Sequence, residues 1–511
     1  MTAKHEYGDF QTPIALAHKV VQLVDSQIGC PDRVIEPTAG EGNFLQAAHA
    51  LWGNHASYQG FEINPEYVAD ANRRLSLYTI EVFQQDFFEA KWNEILEPRL
   101  PDERLLVLGN PPWVTNATLG TLGSTNLPTK TNFQRLRGLD AKTGKANFDI
   151  AEWMLIHLIE SLPESATLAM LCKTMTARKV LKHLWKTQKG FERPALFLID
   201  ARFYFDASVD ACLFLISGKR AAAKSAFVYP ALSTENKPSE FGQVNGHLVA
   251  NLEAYRTYQD LDGGSPYVWR SGIKHDAAEV MELLPTEDGF TNGFGETVCI
   301  EPAFVYPLLK SSDIGNGRIS PRRSVVVPQS AISDATDKIQ ESAPRTWDYL
   351  QCHSARLDGR KSSIYRNRPR FSIFGVGSYS FAPWKVAISG LYKSFRFVVV
   401  PPEKGRPIML DDTCYFLPCR CAEEAVLLCE LLNSEPCQQF LASLVFMDAK
   451  RPVTSEILGR ISLVTLAQRL GRRTELTPYL QTNSQVLNPD KTQLRLVLEK
   501  AVPYGNTEAI S

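Results

Sequence analysis

No apolar run in the 511 residues approaches the ~20 that a membrane helix needs, and residues 1–10 are too polar for a secretory signal. Both absences lead to the expectation of a soluble cytoplasmic protein with no membrane partner. Cysteine is present but unorganised: ten residues are scattered without a paired framework or a CxxC spacing, which suits a reducing compartment. Even the densest group, Cys414, Cys419, Cys421, Cys429 and Cys437, lacks the spacing of a zinc site, so no metal is expected. An excess of one charge is lacking too, with 55 Lys+Arg against 56 Asp+Glu and a formal net charge of −1. There is no internal repeat.

The length leaves room for roughly two to three domains, and 44% hydrophobic with 22% charged residues describes a globular chain. The distribution of charge says more than its sum. Between Lys310 and Val400 stand 15 Lys+Arg and 6 Asp+Glu, so that stretch is +9 and the remainder −10. A basic segment inside a neutral protein is the footprint of a polyanion-binding face.

The most informative stretch is Asn110-Pro111-Pro112-Trp113, which follows the apolar run Leu105–Gly109. Such a run, stopped by Pro-Pro, predicts a buried parallel strand ending where open α/β sheets place their ligands. The Asn110 amide oxygen and the Pro111 carbonyl are two acceptors on a stiff turn. Converging on one amino group, they would hold both its hydrogens and push the lone pair toward an attacked carbon. Trp113 offers a flat face for a ring.

Other strand ends line up with it. Val34-Ile35-Glu36 runs into a Gly-rich turn with Gly40 and Gly42, where the backbone can approach a ligand closely. Leu45 stands where a dinucleotide fingerprint needs its third small residue, and no G-x-G-x-x-G is present. Glu36 would repel phosphates but could meet an ammonium or a sulfonium dipole. Glu62, about twenty residues on, suits the chelation of ribose hydroxyls. Asp86 can accept from an adenine amino group, with Phe87 against its face. Ahead of these, Thr12 and Pro13 read as N-cap and first residue of an amphipathic helix, Ile14 to Val24.

This ordered set resembles the amino-group DNA methyltransferases that make N6-methyladenine, in their gamma arrangement, over roughly residues 7–215. The resemblance implies a Rossmann-like α/β domain with a mostly parallel sheet that uses S-adenosylmethionine. It implies that Thr12 touches the methionine carboxylate, Glu36 and Gly40 with Gly42 lie near the amino-acid portion, Glu62 takes the ribose, and Asp86 with Phe87 take the adenine. Asn110 and the Pro111 carbonyl would hold the target amine, with Pro112 stiffening the turn. The family more often has Tyr or Phe where Trp113 stands, which keeps the stacking role and changes pocket depth. An aromatic just before a later strand stacks on the other face of the flipped base in that family; Phe205 is the choice here, with Phe203 and Tyr204 as competitors.

Further along, residues 115–147 form a polar stretch, a candidate lid or substrate-contacting loop, and a helix is expected from about Ile150 to Leu162. Strands are expected at Thr167–Leu171, Ala195–Ile199, Ala211–Ile216 and Ala226–Tyr229. The catalytic domain is placed at 1–245, a linker at 246–265, a mixed α+β target-recognition domain at 266–485 and a tail at 486–511. In the basic domain, short strands are expected at Ser324–Val327, Arg370–Phe374, Lys385–Ile388 and Phe395–Val400. Helices are expected at Ala422–Leu432 and Gln438–Phe446. Arg366, Arg368 and Lys385, set among aromatics, are the candidate DNA contacts.

The resulting expectation is a prokaryotic, site-specific adenine methyltransferase acting on double-stranded DNA in a restriction-modification or phage-defence system. A separate restriction endonuclease is a candidate second partner. A fused nuclease is not expected, since motif residues begin at position 7. Two alternatives stand beside this reading. RNA-adenine and protein-glutamine methyltransferases carry the same tetrapeptide, and a non-catalytic DNA-specificity subunit would need no cofactor pocket.

Overall fold

The computed structural model describes residues 11–113, 149–187, 189–287 and 289–486, with side chains through 480. The polar stretch 115–147 and the tail beyond 486 therefore lie outside the described residues. The chain divides into two compact units, 1–253 and 254–511.

The first unit is built on one sheet whose apolar runs become strands close to where the sequence puts them. Its ten strands are β1 (Arg33–Glu36), β2 (Ser57–Glu62), β3 (Ile80–Gln84), β4 (Leu105–Gly109), β5 (Thr167–Lys173), β6 (Ala195–Ile199), β7 (Ala211–Ser217), β8 (Ser225–Tyr229), β9 (Ser239–Val244) and β10 (His247–Val249). Their spatial order is β10-β9-β8-β6-β7-β5-β4-β1-β2-β3. From β3 to β5 every pairing is parallel, whereas β7 runs antiparallel to both β5 and β6. All five residues of β4 are buried, as befits a parallel strand covered on both faces.

Helix Ile14–Ile28 buries Leu16, Ala17, Val20, Val21, Leu23 and Val24, and packs against helix Asn43–Trp52. It runs one turn past the expected Val24 and stops at Gly29, whose φ of +69° ends the helical path. Its start also differs from expectation. Pro13 occupies the N-cap place and no side chain caps the helix, so the Thr12 hydroxyl is available for another partner. Helix Ile150–Glu160 packs against helix Thr174–Lys186.

At the amino end of β1, Arg33 is only 1% exposed and pairs with Glu103 through Nε–Oε1 at 3.0 Å and Nη2–Oε2 at 2.9 Å. The same guanidinium donates to the carbonyls of Ile95 and Glu97. Removing either partner would strand a buried charge, at a cost of about 3–5 kcal/mol. This fastening holds the amino end of β1.

Among the described residues the second unit holds two sheets. One is antiparallel, with order β11 (Arg270–Ser271), β20 (Cys414–Cys419), β17 (Trp384–Ser389), β18 (Val398–Val400). The other runs β14 (Thr297–Val298), β13 (Gly289–Thr291), β12 (Glu282–Thr286), β16 (Arg323–Val326), β15 (Val305–Leu309), β19 (Met409–Leu410). Helix Ala422–Asn433 packs against β17, β18 and β20. The expected strand Arg370–Phe374 does not form. The buried Phe371 takes a φ of +63°, which breaks an extended run and leaves an isolated bridge between Phe374 and Lys274. The stretch 246–265 carries β10 and helix Leu252–Tyr258.

Candidate active site

Strands β3, β2, β1 and β4 are parallel neighbours, so Glu36, Glu62, Asp86 and Asn110 arrive at the same edge of the sheet. The register sets this: β1 and β2 pair Glu36 with Gly60, and β2 and β3 pair Glu62 with Gln84, two residues before Asp86.

The Gly-rich turn after β1 is held by Glu62. Gly40 donates its backbone N–H to Glu62 Oε2 at 2.9 Å, and Asn64 donates to Oε1 at 2.9 Å. Gly42, at φ +78°, caps helix Asn43–Trp52, and a Cβ there would meet Leu75 Cδ1 at 2.8 Å. Beside Gly40 lies the Gln11 amide, whose Oε1 accepts from the Glu41 N–H at 3.1 Å. Glu36 is 2% exposed; the Leu45 N–H supports its carboxyl, while Oε2 has no hydrogen-bond partner among the described residues. Burial pushes its pKa well above the usual carboxylate value, and the nearby Glu62 charge raises it further.

Asp86 turns its side chain to its own loop, Oδ1 accepting from the Phe88 N–H at 2.8 Å. Phe87 is buried and packs with Trp92 at 4.8 Å, Phe88 at 5.8 Å and Trp153 at 6.1 Å between ring centroids.

The tetrapeptide is anchored at both ends. Asn110 Nδ2 donates to Thr12 Oγ1 at 3.2 Å, and Thr38 Oγ1 donates to the Asn110 carbonyl at 3.3 Å. At the other end the Trp113 carbonyl accepts from Lys173 Nζ at 2.8 Å. The Trp113 indole is buried in the core of the unit and meets Phe205 edge-on, with centroids 5.1 Å apart and planes at 65°. Among the three candidate aromatics, Phe203 is 76% exposed and Tyr204 accepts from Lys19 Nζ at 3.1 Å, so Phe205 is the one brought against Trp113.

Sequence reasoning missed Lys173, Asp149 and Gln11. Lys173 had a signal, a cation closing an otherwise apolar strand, but its partners lie 60 and 24 positions away.

In the second unit, Arg366 is exposed and Arg368 half-buried, and neither guanidinium has an ion-pair partner among the described residues. Lys385 corrects the expectation made for it. It is 1% exposed within β17, and its ammonium donates to the Ala382 carbonyl at 2.7 Å, so it presents no charge to a polyanion. Burial lowers its pKa to about 7.

No family model matches the chain. A curated relative, the Type II methyltransferase M.NspV of Nostoc sp., is 44% identical over 474 residues, covering 91% of this chain and 98% of the relative. Among solved structures, the Type IIL restriction-modification enzyme MmeI in complex with DNA matches with a TM-score of 0.55 at 12% identity. That match covers 98% of this chain and 79% of MmeI. At this identity it bears on the fold alone, an α/β methyltransferase architecture.

Proposed function

The chain belongs to the Type II methyltransferases, the modification enzymes of restriction-modification systems, and on that premise we propose that it methylates the exocyclic amine of adenine at a specific site in duplex DNA. The observation that carries this reading is the placement of Asn110-Pro111-Pro112-Trp113 at the end of β4, beside the carboxylate-bearing ends of β1 and β2.

The residues at these ends fit S-adenosylmethionine. The buried Oε2 of Glu36, without a hydrogen-bond partner among the described residues, suits an ammonium, and the turn through Gly40 and Gly42 suits close approach of a chain without phosphates. Glu62, whose two oxygens accept the Gly40 and Asn64 amides, presents a carboxylate at the end of β2, the group suited to ribose hydroxyls. Thr12 would reach the methionine carboxylate, Glu36 and Gly40 the amino-acid portion, and Asp86 with Phe87 the adenine. When bound, the cofactor supplies an electrophilic methyl on a sulfonium.

The protein's own contribution is to place the amine. Asn110 Oδ1 and the Pro111 carbonyl would accept its two hydrogens and localise the nitrogen lone pair. Positioning of this kind is worth more than a strong base for direct displacement. A base inside a duplex is out of reach of a strand-end pocket, so the target is flipped out, with an unstacking cost of a few kcal/mol. Contact with the Trp113–Phe205 aromatic pair offsets this, by ~1–3 kcal/mol per stacked base.

The second unit, with its basic stretch and with Arg366 and Arg368 lacking ion-pair partners among the described residues, is assigned to target recognition. A separate restriction endonuclease of the same specificity is the expected partner in the cell. The test is transfer of labelled methyl from S-adenosylmethionine to duplex DNA, RNA and protein in parallel. Label in DNA supports the reading. Label in RNA or protein moves the substrate, and cofactor binding without transfer to any of them points to a specificity subunit.

A further inference from the structure

Lys173 closes β5, the strand beside β4, and its ammonium makes two short bonds, to the Trp113 carbonyl at 2.8 Å and to Asp149 Oδ2 at 2.8 Å. Both side chains are largely withdrawn from water, at 18% and 8% exposure. Asp149 is itself fixed. It caps helix Ile150–Glu160, Oδ1 accepting from the Ala151 N–H at 3.2 Å, and Oδ2 also accepts from Thr176 Oγ1 at 3.4 Å. Thr176 lies in the helix that begins directly after β5. One ammonium thus ties the last residue of the tetrapeptide to a neighbouring strand and to the starts of two helices.

We infer that Lys173 is a positioning residue for methyl transfer: held by Asp149, it fixes the Trp113 carbonyl and so sets the angle of the Asn110–Trp113 turn. The inference rests on the proposed role of that turn. Pro111 and Pro112 have locked φ angles, so the segment behaves as a stiff lever. Thr12 and Thr38 hold its Asn110 end, and Lys173 holds its Trp113 end. Releasing one end swings both amine acceptors. A lysine suits the task, since three donors serve two acceptors from a single point, and Asp149 neutralises the charge where water is scarce.

The test uses the full chain with Lys173→Met, Lys173→Arg and Asp149→Asn. Single-turnover methyl transfer to duplex DNA is followed at saturating S-adenosylmethionine, with cofactor affinity and the thermal midpoint measured separately. A displacement of the acceptors of about 1 Å predicts a loss of about a hundredfold in transfer for Lys173→Met. Cofactor affinity should stay unchanged, because Glu36 and Glu62 lie on other strands. Lys173→Arg should recover much of the rate, since a guanidinium can serve both acceptors, and Asp149→Asn should fall between. A lowered midpoint with unchanged transfer, measured below that midpoint, would mean a purely structural pair and would overturn the inference. Loss of cofactor binding in step with transfer would overturn it too. Should Lys173→Met fail to fold, the Lys173→Arg and Asp149→Asn rates decide. A wild-type chain that methylates RNA or protein and not DNA would instead overturn the reading of the substrate, and the same variants would then be scored on that substrate.

Discussion

Asn110 and Thr12 stand 98 positions apart, yet Asn110 Nδ2 donates to Thr12 Oγ1 at 3.2 Å. The bond turns the amide so that its nitrogen faces Thr12, the orientation that the proposed role of Asn110 Oδ1 as acceptor requires. Asn110→Ala is expected to lower kcat on the order of a hundredfold or more, comparable to deleting one preorganised polar group in other active sites. Affinity for S-adenosylmethionine should remain. Thr12→Val removes the orienting acceptor together with the hydroxyl assigned to the methionine carboxylate, so transfer should fall about five- to tenfold and cofactor affinity should weaken with it. Rapid-quench methyl transfer with parallel calorimetric binding checks both. Equal loss of binding and transfer in Asn110→Ala would remove the assigned role.

Glu36 gives the site a pH signature. Its folded pKa is raised well above 4.5 by burial and by Glu62. The folded state therefore holds a proton that the unfolded chain has lost, so stability falls as pH rises from about 4.5 toward the folded value. Glu36→Gln removes that dependence. The thermal midpoint of the cofactor-free variant should exceed that of the wild type near neutrality and converge with it in acid, while S-adenosylmethionine binds more weakly. Parallel midpoint curves for the two proteins would contradict this account of Glu36.

How much of this was legible in the chain depends on the range of the interaction. β1, β4, β6 and β7 were visible as apolar runs, and Glu36, Glu62 and Asn110 could be placed because a residue ending a parallel strand needs no knowledge of distant partners. Thr12 was read as a helix cap, since its true partner lies a sheet away. The Lys173–Trp113 tie depends on β5 lying next to β4, which no local pattern encodes. Lys385 was misplaced because β17 is a central strand, with β20 and β18 at its edges and helices Ser311–Gly315 and Ala422–Asn433 packed against it, so its charge gave a false sign of exposure.

That correction is itself testable. Lys385 has its folded pKa lowered to about 7 from 10.5, so between these values the unfolded chain binds more protons and stability rises with pH. Lys385→Met should abolish this rise in denaturant unfolding and leave DNA affinity and its salt dependence intact. Arg366→Ala with Arg368→Ala should do the reverse. If both guanidiniums meet phosphates, the pair reduces the slope of log K against log salt by about 2, with stability little changed. DNA binding that is lost with Lys385 and kept without the two arginines would invert this assignment.

The most direct measurement of the central claim is incubation of the purified chain with S-adenosylmethionine and unmethylated duplex DNA, followed by modification-sensitive sequencing of the product. The account predicts N6-methyladenine at one recurring sequence. Methylation of cytosine, or no modified base despite intact cofactor binding, would contradict it.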